Sequence, residues 1–360
     1  MKSNTQVITN FRTDLLRWNR LKNDRKMPWK GEKDPYKIWL SEIILQQTRV
    51  EQGLDYYQKF ISAFPDIHKL AAAREQRIYK LWEGLGYYSR CKNLIETARY
   101  ISKNRKGSFP ESFEEILALK GVGEYTASAI ASFAYNLPHA VVDGNVFRLL
   151  SRFFGIKTPI DSASGKKNYA RLAFELLDKK RPGIYNQALM DFGAIICKPQ
   201  APNCKNCVFA RTCKAYKKNM VDQLPVKEKK INLKKRWFSY FVLQYRDKIY
   251  IQKRMGSDIW NKLHEFVLIE SAKKRSTGVL LKEAAKQLGI TYEQFNVEVI
   301  SGPVIQTLSH QKIEIRFFKL KLSHPLLKKG LMEVRPRSLK RYAFPKTLKD
   351  YVVKEFGHFG

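Results

Sequence analysis

Four of the five cysteines in this 360-residue chain stand at Cys197, Cys204, Cys207 and Cys213, spaced Cys-x6-Cys-x2-Cys-x5-Cys. Four thiolates on one short loop can wrap a single centre, and that closed loop dictates where the chain must turn back on itself. In a reducing compartment such clustering points to a metal site rather than to disulfides. Structural zinc and a 4Fe-4S cluster both accept four cysteines, and ligand softness alone does not separate them. Cys91 stands apart, with a buried structural thiol as its expected role.

Upstream of the cysteines, residues 10–198 read as consecutive helices, with apolar residues at helical spacing between short Gly, Pro and Ser breaks. Ser112 with Glu115 forms a capping-box pattern, and Asp143 precedes a helical run that Gly155 stops. A Lys-rich stretch at 214–236 with Pro225 reads as an exposed linker. Beyond it, 237–245 and 248–253 read as strands around an Arg246-Asp247 turn, and 313–322 alternates at period two. The predicted organisation is multidomain. An all-α domain spans 1–214 and includes the cysteine loop, a basic linker spans 215–235, and an α+β domain spans 236–360.

Charge narrows the partner. The chain carries 67 Lys and Arg against 33 Asp and Glu, a formal +34 that repels itself unless an anion neutralises part of it. Nucleic acid is the natural candidate, and Lys198, Lys205, Arg211 and Lys214 would make the cysteine loop a basic surface for phosphates. Residues 1–29 contain no apolar run of signal-peptide type, and no stretch approaches the roughly 18 apolar residues of a membrane span. No membrane partner is expected.

Three segments carry candidate chemistry. Residues 119–130 read LKGVGEYTASAI, in which Gly121, Val122 and Gly123 form a tight turn between two helices. The glycines admit close approach of a phosphate, and the second helix directs free N–H groups at it. Some twenty residues on stands Asp143, in VDGNVFRLLSR at the mouth of a helix, where an isolated Asp-Gly is ordinarily no more than a cap. Glu42 lies in SEIILQQTRV, on a helix whose neighbours leave little polar surface. Burial there raises a carboxyl pKa, the condition for a general acid near neutral pH.

These segments, with MPW at 27–29, DPY at 34–36, GLGYYSR at 84–90 and the 6, 2, 5 cysteine spacing, resemble the MutY-type adenine DNA glycosylases of the endonuclease III, helix-hairpin-helix superfamily. The resemblance implies a 4Fe-4S cluster on Cys197, Cys204, Cys207 and Cys213. It further implies that Glu42 protonates adenine N7, that Asp143 stabilises the oxocarbenium ion, and that Tyr125 and Asn145 support the transition state. Arg25, Met27, Trp29 and Gln187 match pocket positions around the flipped base. Gln46, Gln47 and Tyr88 match residues that fill the opened duplex, with Tyr88 as the wedge, and Gly121, Val122 and Gly123 match the phosphate-binding hairpin. Where bifunctional relatives carry a Schiff-base lysine stands Tyr125, so excision should be hydrolytic, without strand cleavage.

The same resemblance makes residues 236–360 a Nudix-like domain that reads 8-oxoguanine through Ser309 and His310, although Leu308 replaces an aromatic residue there. The helix at 279–288 holds only Glu283, too few carboxylates for a magnesium-dependent pyrophosphatase. Leu263-His264-Glu265-Phe266 stands in place of a Trp-Glu-Phe run and implies altered packing. The expected protein is a monofunctional adenine glycosylase, a monomer in the nucleoid-associated cytoplasm, acting on duplex DNA with adenine opposite 8-oxoguanine or guanine. Two alternatives are an endonuclease III-like glycosylase for oxidised or mismatched pyrimidines and a non-catalytic DNA-binding iron-sulfur protein.

Overall fold

The computed structural model describes residues 4–228, 233–256 and 258–357. Two compact units are recognised, one made of Met1–Ala72 and Asn93–Lys229, the other of Ala73–Lys92 and Lys230–Gly360. Among the described residues no helix is long and apolar enough to cross a membrane.

The first unit is helical. In chain order come α1 (Asn4–Lys22), α2 (Pro35–Leu45), α3 (Val50–Ala63) and α4 (Ile67–Ala72). Next are α5 (Glu75–Trp82), which belongs to the second unit, and α6 (Tyr88–Asn104), which is shared. Then follow α7 (Phe113–Leu117), α8 (Glu124–Tyr135), α9 (Gly144–Phe154), α10 (Ala163–Leu176), α11 (Pro182–Ile195) and the short α12 (Lys214–Lys217). Local signals set these boundaries. Asp34 caps α2 by accepting from Tyr36 N at 2.9 Å, with Pro35 in the first helical position. Gly155 ends α9 in the left-handed region at φ 65°. Ser112 caps α7, but only half of the capping box forms, because the Glu115 carboxylate turns to Arg105 at 3.1 Å and to the Ser112 hydroxyl.

Helix α2 buries Ile38, Trp39, Leu40, Ile43 and Ile44 around most of its circumference, as a helix enclosed by others must. It packs on α8, and α8 and α9 both pack on α11. The approach of α11 to α9 is close enough that a Cβ on Gly193 would lie 2.7 Å from the Asn145 carbonyl oxygen, so only glycine fits. A second layer of α1, α9, α10 and α11 encloses Phe11, Trp18, Phe153, Tyr185, Phe192 and Phe209.

The Lys-rich stretch differs from an exposed linker over its first part. Ala215 is fully buried in α12, Arg152 donates to the carbonyls of Val221 (2.9 Å) and Leu224 (3.0 Å), and Ile160 N donates to Val226 O at 3.0 Å. Single apolar residues among lysines anchor this segment to the helices. Residues 229–232 of the predicted linker lie outside the described residues.

The second unit contains β1 (Lys234–Tyr245), β2 (Lys248–Lys253), β3 (His264–Glu265), β4 (Val267–Ser271), α13 (Thr277–Leu288), β5 (Phe295–Ile300), β6 (Val304–Leu308), β7 (Gln311–Leu322), β8 (Leu331–Val334) and α14 (Lys346–Phe356). The sheet order is β3-β2-β1-β7-β5, with β4 also on β1, β6 on β7 and β8 on β2. The centre is a parallel pair, β1 with β7, in a register that sets Tyr240 against Phe317 and Phe241 against Phe318. The centre of β1 is buried on both faces, which explains its largely apolar run at 237–243, whereas β7 keeps its alternation, with Ile313, Ile315 and Phe317 buried between less buried polar residues. One face meets Leu280, Ala284 and Leu288 of α13. On the other, Phe317 stacks on Tyr351 of α14 at 3.9 Å. Strand β1 begins three residues earlier than its apolar pattern suggests. Lys234, Lys235 and Arg236 pair with β7, and Arg236 is held by Glu270 and by Gln311 at 2.7 Å.

Candidate active site

Packing of α2, α8, α9 and α11 gathers the predicted catalytic groups within the first unit. Glu42 on α2 is 6% exposed. Burial pushes its carboxyl up to about 7, a hydrogen bond from the Tyr125 hydroxyl opposes the rise, and the negative charge of Asp143 adds to it. Tyr125 sits in the first turn of α8, and its phenol is pushed well above the usual range by burial and then by Glu42 and Asp143. It therefore remains a neutral donor. Asp143 is the N-cap of α9, accepting from Val146 N at 2.8 Å and from Asn145 Nδ2 at 2.7 Å. Burial raises its carboxyl pKa, and those two donors counter the rise. The result is a pair of interacting carboxyls, both desolvated but differently partnered: Glu42 beside a phenol, Asp143 held by two N–H donors that counter its burial. Such pairs divide into an acid and an anion.

The hairpin forms as expected. Gly121 is exposed at φ 77° and its missing Cβ would strike the Asn93 side chain at 2.7 Å, Val122 is buried, and exposed Gly123 is the N-cap of α8. After α2 the chain turns through Gln46 and Gln47. Gln46 is tied to Thr126 Oγ1 at 3.2 Å, whereas Gln47 is exposed in the left-handed region at φ 57°.

Two of the predicted pocket residues, Arg25 and Gln187, share an anchor not singled out from sequence. Asp191 of α11, fully buried, accepts from Arg25 (2.9 Å), Asn23 (2.9 Å) and Gln187 (3.0 Å) and pairs with Lys30 at 3.0 Å. This carboxylate joins Arg25 and Gln187 through one side chain. Met27 is half-buried, and Trp29, at 9% exposure, meets Tyr57 edge-on at 5.2 Å. Asp191 carries the same signal as Glu42, an acid within an apolar helical run.

Arg148 and Arg152, one turn apart on the buried face of α9, were also not singled out from sequence. Arg148 donates to Asn145 Oδ1 (2.8 Å), Gly193 O (2.6 Å) and Cys197 O (2.7 Å), joining the Asp143 neighbourhood to the start of the cysteine loop. Arg152, 3% exposed, donates to Lys198 O at 2.7 Å, Pro199 O at 3.1 Å and Cys197 Sγ at 3.5 Å, in addition to Val221 and Leu224.

The four cysteines line one cavity with Leu149, Phe153, Phe192 and Phe209. Among the described residues no three Cys, His, Asp or Glu side chains converge as they would on a single ion. The thiols stand around the cavity wall instead. Burial, with mutual repulsion behind it, pushes Cys207 up to about 12 and raises Cys204 and Cys213. Four thiolates would therefore persist here only against bound positive charge. Phe209 N and Arg152 Nη1 already donate to the sulfurs of Cys207 and Cys197. The donor set, the apolar lining and the N–H···S contacts fit a bound iron-sulfur group.

In the second unit, Ser309 and His310 form the exposed two-residue turn between β6 and β7. Tyr88 departs from its expected role as a wedge. Its ring is 8% exposed and its hydroxyl accepts from Gly84 N at 3.1 Å, so it braces the glycine loop from inside. The ring on the surface is Tyr87, 42% exposed at φ 47°, with its hydroxyl hydrogen-bonded to the Ser309 side chain. Glu283, the lone acid of α13, is paired with Arg275. The backbone N–H of His264 donates to Ala343 O at 2.8 Å and the Glu265 carboxylate accepts from Arg254 at 3.0 Å, which is how the altered 263–266 segment packs.

Comparison with known proteins agrees with this geometry. Residues 40–172 match the HhH-GPD superfamily of base excision DNA repair proteins, and residues 239–354 match the NUDIX domain. The structure of a thermostable thymine-DNA glycosylase superposes with a TM-score of 0.56 at 29% identity, over 60% of this chain and 100% of that one. Fold and site together define a DNA N-glycosylase of the base-excision class, with DNA as its partner. The adenine DNA glycosylase of Buchnera aphidicola subsp. Baizongia pistaciae is 38% identical over 263 residues, 71% of this chain and 73% of the relative. That of Mus musculus is 38% identical over 231 residues, 62% of this chain and 45% of the relative. The chain belongs to the adenine DNA glycosylase family.

Proposed function

We propose that the protein hydrolyses the N-glycosidic bond of adenine paired with 8-oxoguanine or guanine in duplex DNA, leaving an abasic site and an intact strand. The observation that carries this reading is the coupled pair: Glu42, desolvated and hydrogen-bonded by Tyr125, near Asp143, held by Asn145 and Val146. A carboxyl with a pKa near neutrality can deliver a proton to the departing base. A carboxylate fixed by N–H donors can stabilise positive charge developing at the sugar. Tyr125 offers no amine for an imine, so water is the acceptor and the strand stays joined.

The residues around this pair take supporting roles. Arg25, Met27, Trp29 and Gln187 enclose the extruded base, and the hairpin at Gly121, Val122 and Gly123 holds a phosphate. Gln46, Gln47 and Tyr87 occupy the opened stack, and Ser309 and His310 read the opposite base. Cys197, Cys204, Cys207 and Cys213 hold a 4Fe-4S cluster, which when bound orders the basic loop through metal–thiolate bonds. In this reading the chain works as a glycosylase domain (1–214), a basic connection (215–235) and a Nudix-like reading domain (236–360), acting as a monomer on chromosomal DNA in the cytoplasm.

The test is incubation with a duplex holding one adenine opposite 8-oxoguanine, followed by alkali. Breakage at that adenine only after alkali is the expected result. Absence of breakage, with activity on an oxidised pyrimidine, would assign the site to pyrimidine lesions instead.

A further inference from the structure

The loop between α5 and α6 presents its exposed ring from a backbone conformation that aromatic residues rarely adopt. Gly84, Gly86 and Tyr87 take φ of 95°, 78° and 47°. The glycines do so freely, but Tyr87 requires its surroundings to hold it there. Arg90, 7% exposed in the first turn of α6, supplies much of that hold. Its Nη2 donates to the carbonyls of Leu85 at 3.4 Å and Gly86 at 3.3 Å, and its backbone N–H donates to Tyr87 O at 2.9 Å. Its guanidinium carbon lies 5.5 Å from the Tyr87 ring centroid and 5.2 Å from that of Trp82. Trp82 Nε1 donates to the same Gly86 carbonyl at 3.0 Å.

We propose that Arg90 is a positioning residue for Tyr87, fixing the ring and its contact with Ser309 in the attitude needed to enter an opened duplex, without itself touching DNA. This rests on the reading of Tyr87 and Ser309 given above. The role calls for a guanidinium, because its flat delocalised plane can meet the Trp82 and Tyr87 rings while one of its nitrogens bonds two carbonyls, whereas lysine brings a compact point charge on a flexible stem with no plane to lay against a ring.

A double-mutant cycle on the full chain tests it, with binding measured to a duplex carrying 8-oxoguanine opposite a non-cleavable adenine analogue and to the undamaged duplex. Arg90→Met is expected to weaken binding to the lesion duplex about tenfold and to leave the undamaged duplex within about twofold. In a Tyr87→Ala background the same substitution should change lesion binding by less than about twofold, since the ring it positions is gone. Arg90→Lys should behave like Arg90→Met, and it carries the comparison if the methionine variant fails to fold. Equal losses from Arg90 substitution in both backgrounds would overturn the proposal and leave the wedge reading standing. A Tyr87→Ala variant that binds the lesion as tightly as the parent overturns both.

Discussion

The side-chain amide of Asn145 donates to Asp143 Oδ2 at 2.7 Å while its oxygen accepts from Arg148 at 2.8 Å, so the Asp143 carboxylate is aimed by a residue that is itself aimed. Asp143→Asn keeps a good N-cap for α9 but removes the charge. Excision at adenine should fall by a factor on the order of a thousand while the protein stays folded, the lost acceptor for Asn145 costing about 1 kcal/mol. Single-turnover excision and thermal melting check this, and retained excision would remove Asp143 from the chemistry.

Glu42 gives a dependence on pH with a definite sign. Its pKa is raised from an ordinary 4.5 to about 7, so the folded state disfavours the ionised form and loses stability as pH climbs through that interval. Glu42→Gln should abolish excision. It should also melt higher than the parent at pH 8, with the difference vanishing near pH 4. Excision by the parent should decline above about pH 7, where the acid is ionised. A flat profile from pH 6 to 9 in single-turnover excision would contradict the assignment of Glu42 as the proton donor.

Arg152 ties the cysteine loop to α9 and to residues 221–224 through one buried guanidinium. Arg152→Met leaves four carbonyls without this donor, that of Leu224 buried and the others partly so, and is expected to cost about 2 kcal/mol or more. Iron content per chain should fall with it. Iron assay and visible absorbance on purified protein are the measurements, and full iron loading at unchanged stability would refute the latch.

An amine introduced at Tyr125 should change the outcome of the reaction. Tyr125→Lys places a nucleophile where the parent has a phenol, so borohydride should trap a protein–DNA adduct and a nick should form without alkali. The parent should give neither.

Tyr88 and Tyr87 should separate cleanly. Tyr88→Phe removes the acceptor for Gly84 N and should cost about 1 kcal/mol of stability, with binding to the lesion duplex almost intact. Denaturant melts read the first quantity and equilibrium binding the second.

The parts of the site legible from sequence were those written in a short stretch of chain. Asp143 declares itself as a cap before a helix that Gly155 ends, and Glu42 as a carboxylate amid Ile43, Ile44 and Trp39. Gly121 and Gly123 mark the hairpin in the same local way. The residues that were missed act across the fold. Asp191 matters because Arg25 and Lys30, some 160 residues earlier, reach it, and Arg148 matters because Gly193 of α11 and Cys197 just beyond that helix come to α9. Nothing in the order of amino acids distinguishes Tyr87 from Tyr88. Only the path set by Gly84 and Gly86 decides which ring goes inside. In residues 214–228 the apolar residues stand scattered among lysines and other polar residues without helical or strand periodicity, which concealed Ala215 and Leu224, whose burial fastens that segment.

The placement of β7 bears on how the coding sequence tolerates early termination. β7 lies parallel to β1, some 66 positions after it, and is also the registered partner of both β5 and β6. A stop codon between positions 272 and 311 therefore removes more than a tail: β1 loses its long neighbour, and whichever of the strands at 295–300 and 304–308 has been made has nothing to pair with among those described here. Nonsense alleles across this region should behave alike, each yielding a helical unit followed by an aggregation-prone half-sheet, rather than forming a graded series.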